Sequence, residues 1–195
     1  MALMETEPDP DYPPSWQPPW HSSGPLTRDD LDRMPNDGHR YELIDGVLIM
    51  TPAPTIRHQD VVVNLLVKLK SACPSDLKVL VAPTDVVISQ DTVMQPDLLV
   101  ARREDFTERD LPTAPLLAVE VLSPSTRRVD LMLKFSRLEA AGCPAYWVVD
   151  PDTPELIAWE LRDGTYAQVA KAAGDEIARL TVPFEVSVVP ADLTL

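Results

Sequence analysis

The chain has 195 residues, 45% of them hydrophobic and 25% charged, with a formal net charge of −14. That length suits one domain plus a tail, and the composition supports a real core. The charge excludes a uniformly basic surface of the kind that neutralises duplex phosphates, although a local positive patch is compatible with it.

Residues 1–25 are rich in proline and acid, which excludes helix and central strand there. This stretch reads as a flexible arm ahead of a domain over 26–195. Trp16 and Trp20 in "SWQPPW" pack on the domain itself, on a second subunit, or on another protein. The N-terminus lacks the basic and apolar regions of a secretory signal, and no apolar run reaches membrane-span length. Cys73 and Cys143 have no metal-ligand spacing and read as reduced, structural thiols. A cytoplasmic protein that makes no membrane contact is the expectation.

"LTRDDLDRMP" predicts a short helix capped by Thr27 and closed by Pro35. "RYELIDGVLIMT" predicts a hairpin about Asp45-Gly46. "TIRHQDVVVNLLVKLKSA" predicts an amphipathic helix with His58, Val62, Leu65 and Leu69 on one face. Strands follow at "LKVLVAP", "TDVVIS", "PDLLVA" and "PLLAVEVL". A second helix over "TRRVDLMLKFSRLEAAG" has Ser125 or Thr126 as its cap and ends at Gly142 and Pro144. "AYWVVD" is a strand, "LIAWELRDGTYAQVA" a hairpin about Asp163-Gly164, and 176–195 is strand-like and irregular. The expected architecture is mixed α/β, with one central sheet flanked by helices.

Two acids stand out. Asp97 opens one apolar strand, and Glu120 lies within "LLAVEV", a strand expected to be buried. An ionised carboxylate in such surroundings is costly unless paired or bound to metal. On neighbouring strands the two would converge, and their hard oxygens suit Mg²⁺ or Mn²⁺. Such a metal can activate water and bind a phosphoryl oxygen. The following helix carries Arg127, Arg128, Lys134 and Arg137 against Asp130 and Glu139. At helical spacing Leu131, Phe135 and Leu138 form its core stripe, with Lys134 on the shoulder. Lys134 either reaches the sheet edge or makes a surface pair with Asp130. His58, in the first turn of its helix, is a neutral core histidine or a substrate contact.

"QPDLLV" followed by "LLAVEVLSPSTRRVDLMLKFSRLEAAGCPAYWVVDP" resembles the PD-(D/E)XK nuclease superfamily, and more closely the Uma-type restriction endonuclease family. "YELIDGVLIM" and "RHQDVVVNLLVKL" extend the resemblance over about 40–190. It implies a restriction-endonuclease-like core with added hairpins, and a Mg²⁺- or Mn²⁺-dependent endonuclease acting on nucleic acid, DNA first. It further implies metal ligands Asp97 and Glu120 with the Val121 carbonyl, Lys134 as the catalytic lysine, and a homodimer. Leu122 stands where the superfamily lysine normally sits, and Lys134 matches a lysine moved to the next helix. Glu42 matches an early acid that assists metal binding, or is simply a polar hairpin position. Asp130, Arg127 and Arg128 are candidates for supporting or substrate contacts. The rival reading is an inactive nuclease scaffold that serves as a binding or regulatory module. A positive rim built from Arg102, Arg103, Arg127, Arg128, Lys134 and Arg137 would favour the enzyme; scatter would favour the rival.

Overall fold

A computed structural model describes residues 24–194 except Asn36. The proline-rich arm, with Trp16 and Trp20, lies outside the described residues but for Gly24 and Pro25.

The chain enters through helix α1 (Arg28–Leu31), whose N-cap Thr27 and Asp30 form the reciprocal capping box. Strands β1 (Arg40–Ile44) and β2 (Val47–Thr51) follow as a hairpin. Its turn residues Asp45 and Gly46 both have positive φ, at 53° and 73°. That is what a two-residue turn between twisted strands demands. Glycine is required at Gly46 on a second count, since a Cβ there would stand 2.5 Å from Pro25 Cβ.

Helix α2 (Ile56–Ala72) starts at Thr55, whose hydroxyl accepts from the His58 N–H. It buries His58, Val61, Val62, Leu65 and Leu69, the face read from the sequence. Then come β3 (Leu77–Val81), β4 (Asp85–Ser89), β5 (Thr92–Met94), β6 (Leu98–Arg102), β7 (Asp110–Leu111) and β8 (Leu117–Val121). A helical segment over 127–140 leads to β9 (Ala145–Asp150). The hairpin β10 (Glu155–Arg162) and β11 (Thr165–Ala173) follows, and the chain closes on β12 (Ala178–Leu180) and β13 (Val186–Val188).

Among the described residues the strands form three sheets rather than one central sheet. The main sheet runs β11-β10-β9-β8-β6-β3, with β8 and β9 parallel and every other pairing antiparallel. The parallel pair requires a crossover, which the 127–140 helix supplies. A second sheet runs β2-β1-β5-β4-β7, and β12 pairs with β13. The short β5 joins the first hairpin to β4, and the short β7 adds the opposite edge of the second sheet.

The pleat sorts side chains to the two faces of the main sheet. Leu117, Val119 and Val121 of β8 pack with Val61, Leu65 and Leu69 of α2. Ala118, on the opposite face, joins Leu138, Cys143, Tyr146 and Val148. By the same alternation Glu120 points to the second face, between the main sheet and the crossover helix. No helix among the described residues is long and apolar enough to cross a membrane.

Candidate active site

The β6–β8 ladder pairs Leu98 with Val119, Leu99 with Ala118 and Val100 with Leu117. One further step of that register sets Asp97 against Glu120. The condition set by the sequence, that the two strands be neighbours, is met, and the pairing brings both acids to one end of the main sheet. Asp97 and Glu120 are 4% and 1% exposed.

Asp97 is fully engaged. Its Oδ1 accepts from Arg40 Nη1 at 2.9 Å, and its Oδ2 accepts from the Val121 N–H at 2.8 Å and meets His58 Nε2 at 3.1 Å. Burial alone would raise its pKa. The His58 hydrogen bond and charge, the Arg40 guanidinium and the Val121 amide outweigh that and hold it at about 2. His58 is thus core-facing, as expected, and is also a partner of the first acid.

Glu120 meets Lys134 Nζ at 3.1 Å. The same ammonium stands 2.8 Å from Glu42 Oε1 and 3.7 Å from Asp130 Oδ1. Lys134 and all three acids are no more than 2% exposed. Lys134 is therefore no surface residue paired with Asp130. Burial disfavours its charge, but the carboxylates of Glu120, Glu42 and Asp130 prevail and hold it protonated. Burial pushes the Glu120 carboxyl well up despite Lys134, with Asp130, Asp97 and Glu42 adding repulsion. Burial likewise lifts Asp130 to about 6.

The lysine reaches this position because its helix is not α-helical throughout. Residues Val129–Lys134 form a π-helical turn before α3 (Phe135–Ala140). The buried line is Asp130, Lys134 and Leu138, whereas Leu131 and Phe135 are only half-buried. The uniform 100° spacing that put Leu131, Phe135 and Leu138 on the stripe and Lys134 on its shoulder fails across a widened turn, of a kind often found at functional sites. The cap also differs from Ser125 or Thr126: the Ser123 hydroxyl accepts from the Thr126 N–H.

Glu42, a polar position on the first hairpin, is buried and lies against Lys134. Besides Lys134, its Oε1 accepts from the Gln95 N–H at 2.7 Å. Arg40 is a participant the sequence reading missed. Its only advance signal was its place two residues before Glu42, hence on the same strand face.

A cleft of about 820 Å³ opens beside Asp97. Its walls include Arg40, His58, Asp85 and Gln95, and the Ser123–Thr126 turn. Among the described residues the basic side chains that would build a positive rim are scattered. Arg127 pairs with Asp150 at 2.7 Å and Arg137 with Asp45 at 2.7 Å. Arg102 and Arg103 lie at the far end of β6 from Asp97, where Arg103 Nε donates to Ser75 O. Arg127 and Arg128 are exposed, and neither lines the cleft.

Donor chemistry and charge fit a divalent cation. Four buried carboxylates, Glu42, Asp97, Glu120 and Asp130, face two cations, Arg40 and Lys134. Mg²⁺ commonly takes only one or two carboxylates and keeps its waters, so the Asp97–Glu120 pair suffices. Among the described residues no three His, Cys, Asp or Glu side chains converge at metal-holding distance. Lys134 stands where Glu42, Glu120 and Asp130 would otherwise meet.

Residues 28–194 match the model of the Uma2 family, described as "Putative restriction endonuclease". The chain belongs to the Uma2 family. A crystal structure from Anabaena variabilis ATCC 29413, of a "putative nuclease belonging to DUF820", superposes with a TM-score of 0.69. It is 19% identical and covers 87% of this chain and 98% of its own, so the two share a fold. A curated "Pyridoxine 5'-phosphate synthase" from Synechococcus sp. (strain WH7803) is 32% identical over 149 residues. The match takes in 70% of this chain and 55% of that protein, so the chain spans little more than half of this relative. The family's description is that of a nuclease, and the neighbour adds agreement in fold.

Proposed function

We propose that this Uma2 chain is a divalent-metal-dependent endonuclease that hydrolyses phosphodiester bonds, with DNA as the substrate and 26–195 as the nuclease domain. The observation that carries the reading is the meeting of Asp97 and Glu120 at one sheet end, with a buried lysine 3.1 Å from Glu120.

Asp97 and Glu120 would hold Mg²⁺ or Mn²⁺, with the Val121 carbonyl and Glu42 as further oxygen donors. The ion supplies Lewis acidity and a water of lowered pKa. The protein does the rest. His58 and the Val121 amide fix the Asp97 carboxylate, leaving its charge available at any pH above about 2. Glu42 and Asp130 hold Lys134 as a permanent ammonium. From there it stabilises negative charge growing on the phosphate or orients the attacking water. Being protonated, it does not serve as the general base.

A second reading is favoured by the absence of a basic rim. A nuclease scaffold with its arginines dispersed suits a binding or regulatory module, with the proline-rich arm engaging a second subunit or another protein. The activity in the Synechococcus relative's name belongs to a protein of which this chain spans 55%, and it is not carried over.

The deciding experiment is Mg²⁺ and Mn²⁺ titration by calorimetry on wild type and Glu120→Gln, followed by plasmid cleavage. Binding in the wild type that Glu120→Gln abolishes, together with metal-dependent cleavage, supports the enzyme. A folded wild type that binds metal and cuts neither DNA nor RNA favours the binding module.

A further inference from the structure

Arg40 is tied up and incompletely satisfied at once. It opens β1, its side chain is 21% exposed, and it lines the cleft. One guanidinium nitrogen donates to Asp97 Oδ1 at 2.9 Å. Its buried Nε–H has no hydrogen-bond partner, with Glu42 Oε2 3.8 Å away. Two neighbours share the condition: His58 Nδ1 and Gln95 Oε1 are also buried and unpartnered. The Gln95 amide is oriented by its Nε2, which donates to Asp85 Oδ1 at 2.7 Å. Among the described residues, three of the four unpartnered buried side-chain atoms thus belong to residues on this one cleft wall, and the fourth is Tyr166 Oη. Buried polar atoms without partners are rare. Their clustering just behind one cleft wall marks a polar region whose bonding is incomplete in the empty cleft.

Arginine suits one group there above others. Its planar guanidinium offers parallel N–H donors that match two oxygens of a phosphate, and it keeps its charge at every relevant pH. The hydrogen bond to Asp97 is the contact a metal on that carboxylate would weaken, because both cations draw on the same oxygens. We propose that Arg40 is the residue that grips a substrate phosphate, and that it does so by trading its bond to Asp97 for one to the phosphate. In the metal-free site it neutralises Asp97; in the working complex its charge moves to the substrate. This rests on the nuclease reading above.

The experiment takes the full chain as wild type, Arg40→Ala and Arg40→Lys. Mn²⁺ binding, melting temperature and steady-state cleavage of a DNA fragment are measured for each. Arg40→Ala should raise KM by about tenfold or more, as removal of a ground-state charge-assisted contact does, with kcat changed far less. Its Mn²⁺ affinity should be equal or tighter, because a competitor for Asp97 is gone. Arg40→Lys should recover part of the KM, since it keeps the charge and loses the fork. An unchanged KM in Arg40→Ala overturns the inference. So does weakened Mn²⁺ binding with a lowered melting temperature, which marks a purely structural arginine. If the wild type cuts no nucleic acid, the nuclease reading fails and the arginine is judged separately. Inorganic phosphate should then bind the Mg²⁺-loaded wild type and not Arg40→Ala, and equal binding by both overturns the inference.

Discussion

Replacing Lys134 with methionine should expose the electrostatic design of the site. The substitution nearly preserves volume, so a packing defect contributes little. It removes an ammonium lying 2.8, 3.1 and 3.7 Å from three buried carboxylates. Breaking a buried pair by deleting one partner costs about 3–5 kcal/mol, because the remaining charge is uncompensated. The acids can relieve this by taking up protons. Asp130 already sits at about 6 and Glu120 well above its ordinary value, both through burial. With the lysine gone they rise further, so the folded variant binds more protons than the unfolded chain. Its stability must then fall as pH rises, at about 1.4 kcal/mol per pH unit for each extra proton held. Urea denaturation at pH 5.5 and pH 8 should show a deficit several kcal/mol larger at the higher pH. Millimolar Mg²⁺ or Mn²⁺ should restore about 2.7 kcal/mol at one hundred times its dissociation constant. A variant as stable as wild type at pH 8, or equally destabilised at both pH values, would refute the argument that Lys134 neutralises these acids.

Further outcomes follow from the same geometry. Asp97→Asn should weaken Mn²⁺ binding by calorimetry by about tenfold or more, as loss of a charged donor does; unchanged affinity removes Asp97 from the site. Asp97 also sets an acid limit. Its folded pKa of about 2 lies below the ordinary carboxylate value, so its contribution is complete above about 4 and disappears as pH falls toward 2. An acid titration of Asp97→Asn should lack that part of the unfolding slope. Gly46→Ala adds a Cβ at positive φ and 2.5 Å from Pro25 Cβ, and should cost about 1–3 kcal/mol in urea denaturation.

What the sequence made legible is what period and turn chemistry govern. The Asp45-Gly46 and Asp163-Gly164 hairpins, the buried face of α2 and the β6 and β8 strands all follow from local rules, whereas the meeting of Asp97 with Glu120 also needed those two strands to pair. What escaped depends on geometry that no local pattern encodes. The three-residue β5 and two-residue β7 are too short to show alternation, so the second sheet they complete was invisible. The buried state of Glu42 needs that sheet, because its partners Gln95 and Lys134 come from 53 and 92 residues further along. The family resemblance pointed to Lys134, whereas helical periodicity put it on a shoulder, because the π turn changes the angle per residue. Arg40 carried no motif at all. Whether the arginines would gather or scatter was open in the sequence, and they scatter because Arg127 and Arg137 each pair with an aspartate on a different element.

The division of the site between strand and helix carries a mechanical consequence. The acids stand at the ends of β6 and β8, each a strand with a paired neighbour on both sides. Lys134 hangs from a separate helix, entered through the Ser123–Thr126 turn that also lines the cleft. A slide of that helix by one residue's rise, about 1.5 Å, would carry an ammonium now 3.1 Å from Glu120 out of hydrogen-bond reach while leaving the acids undisturbed. The same turn forms part of the cleft wall, so the seating of this helix and the charge balance at the centre share one hinge point.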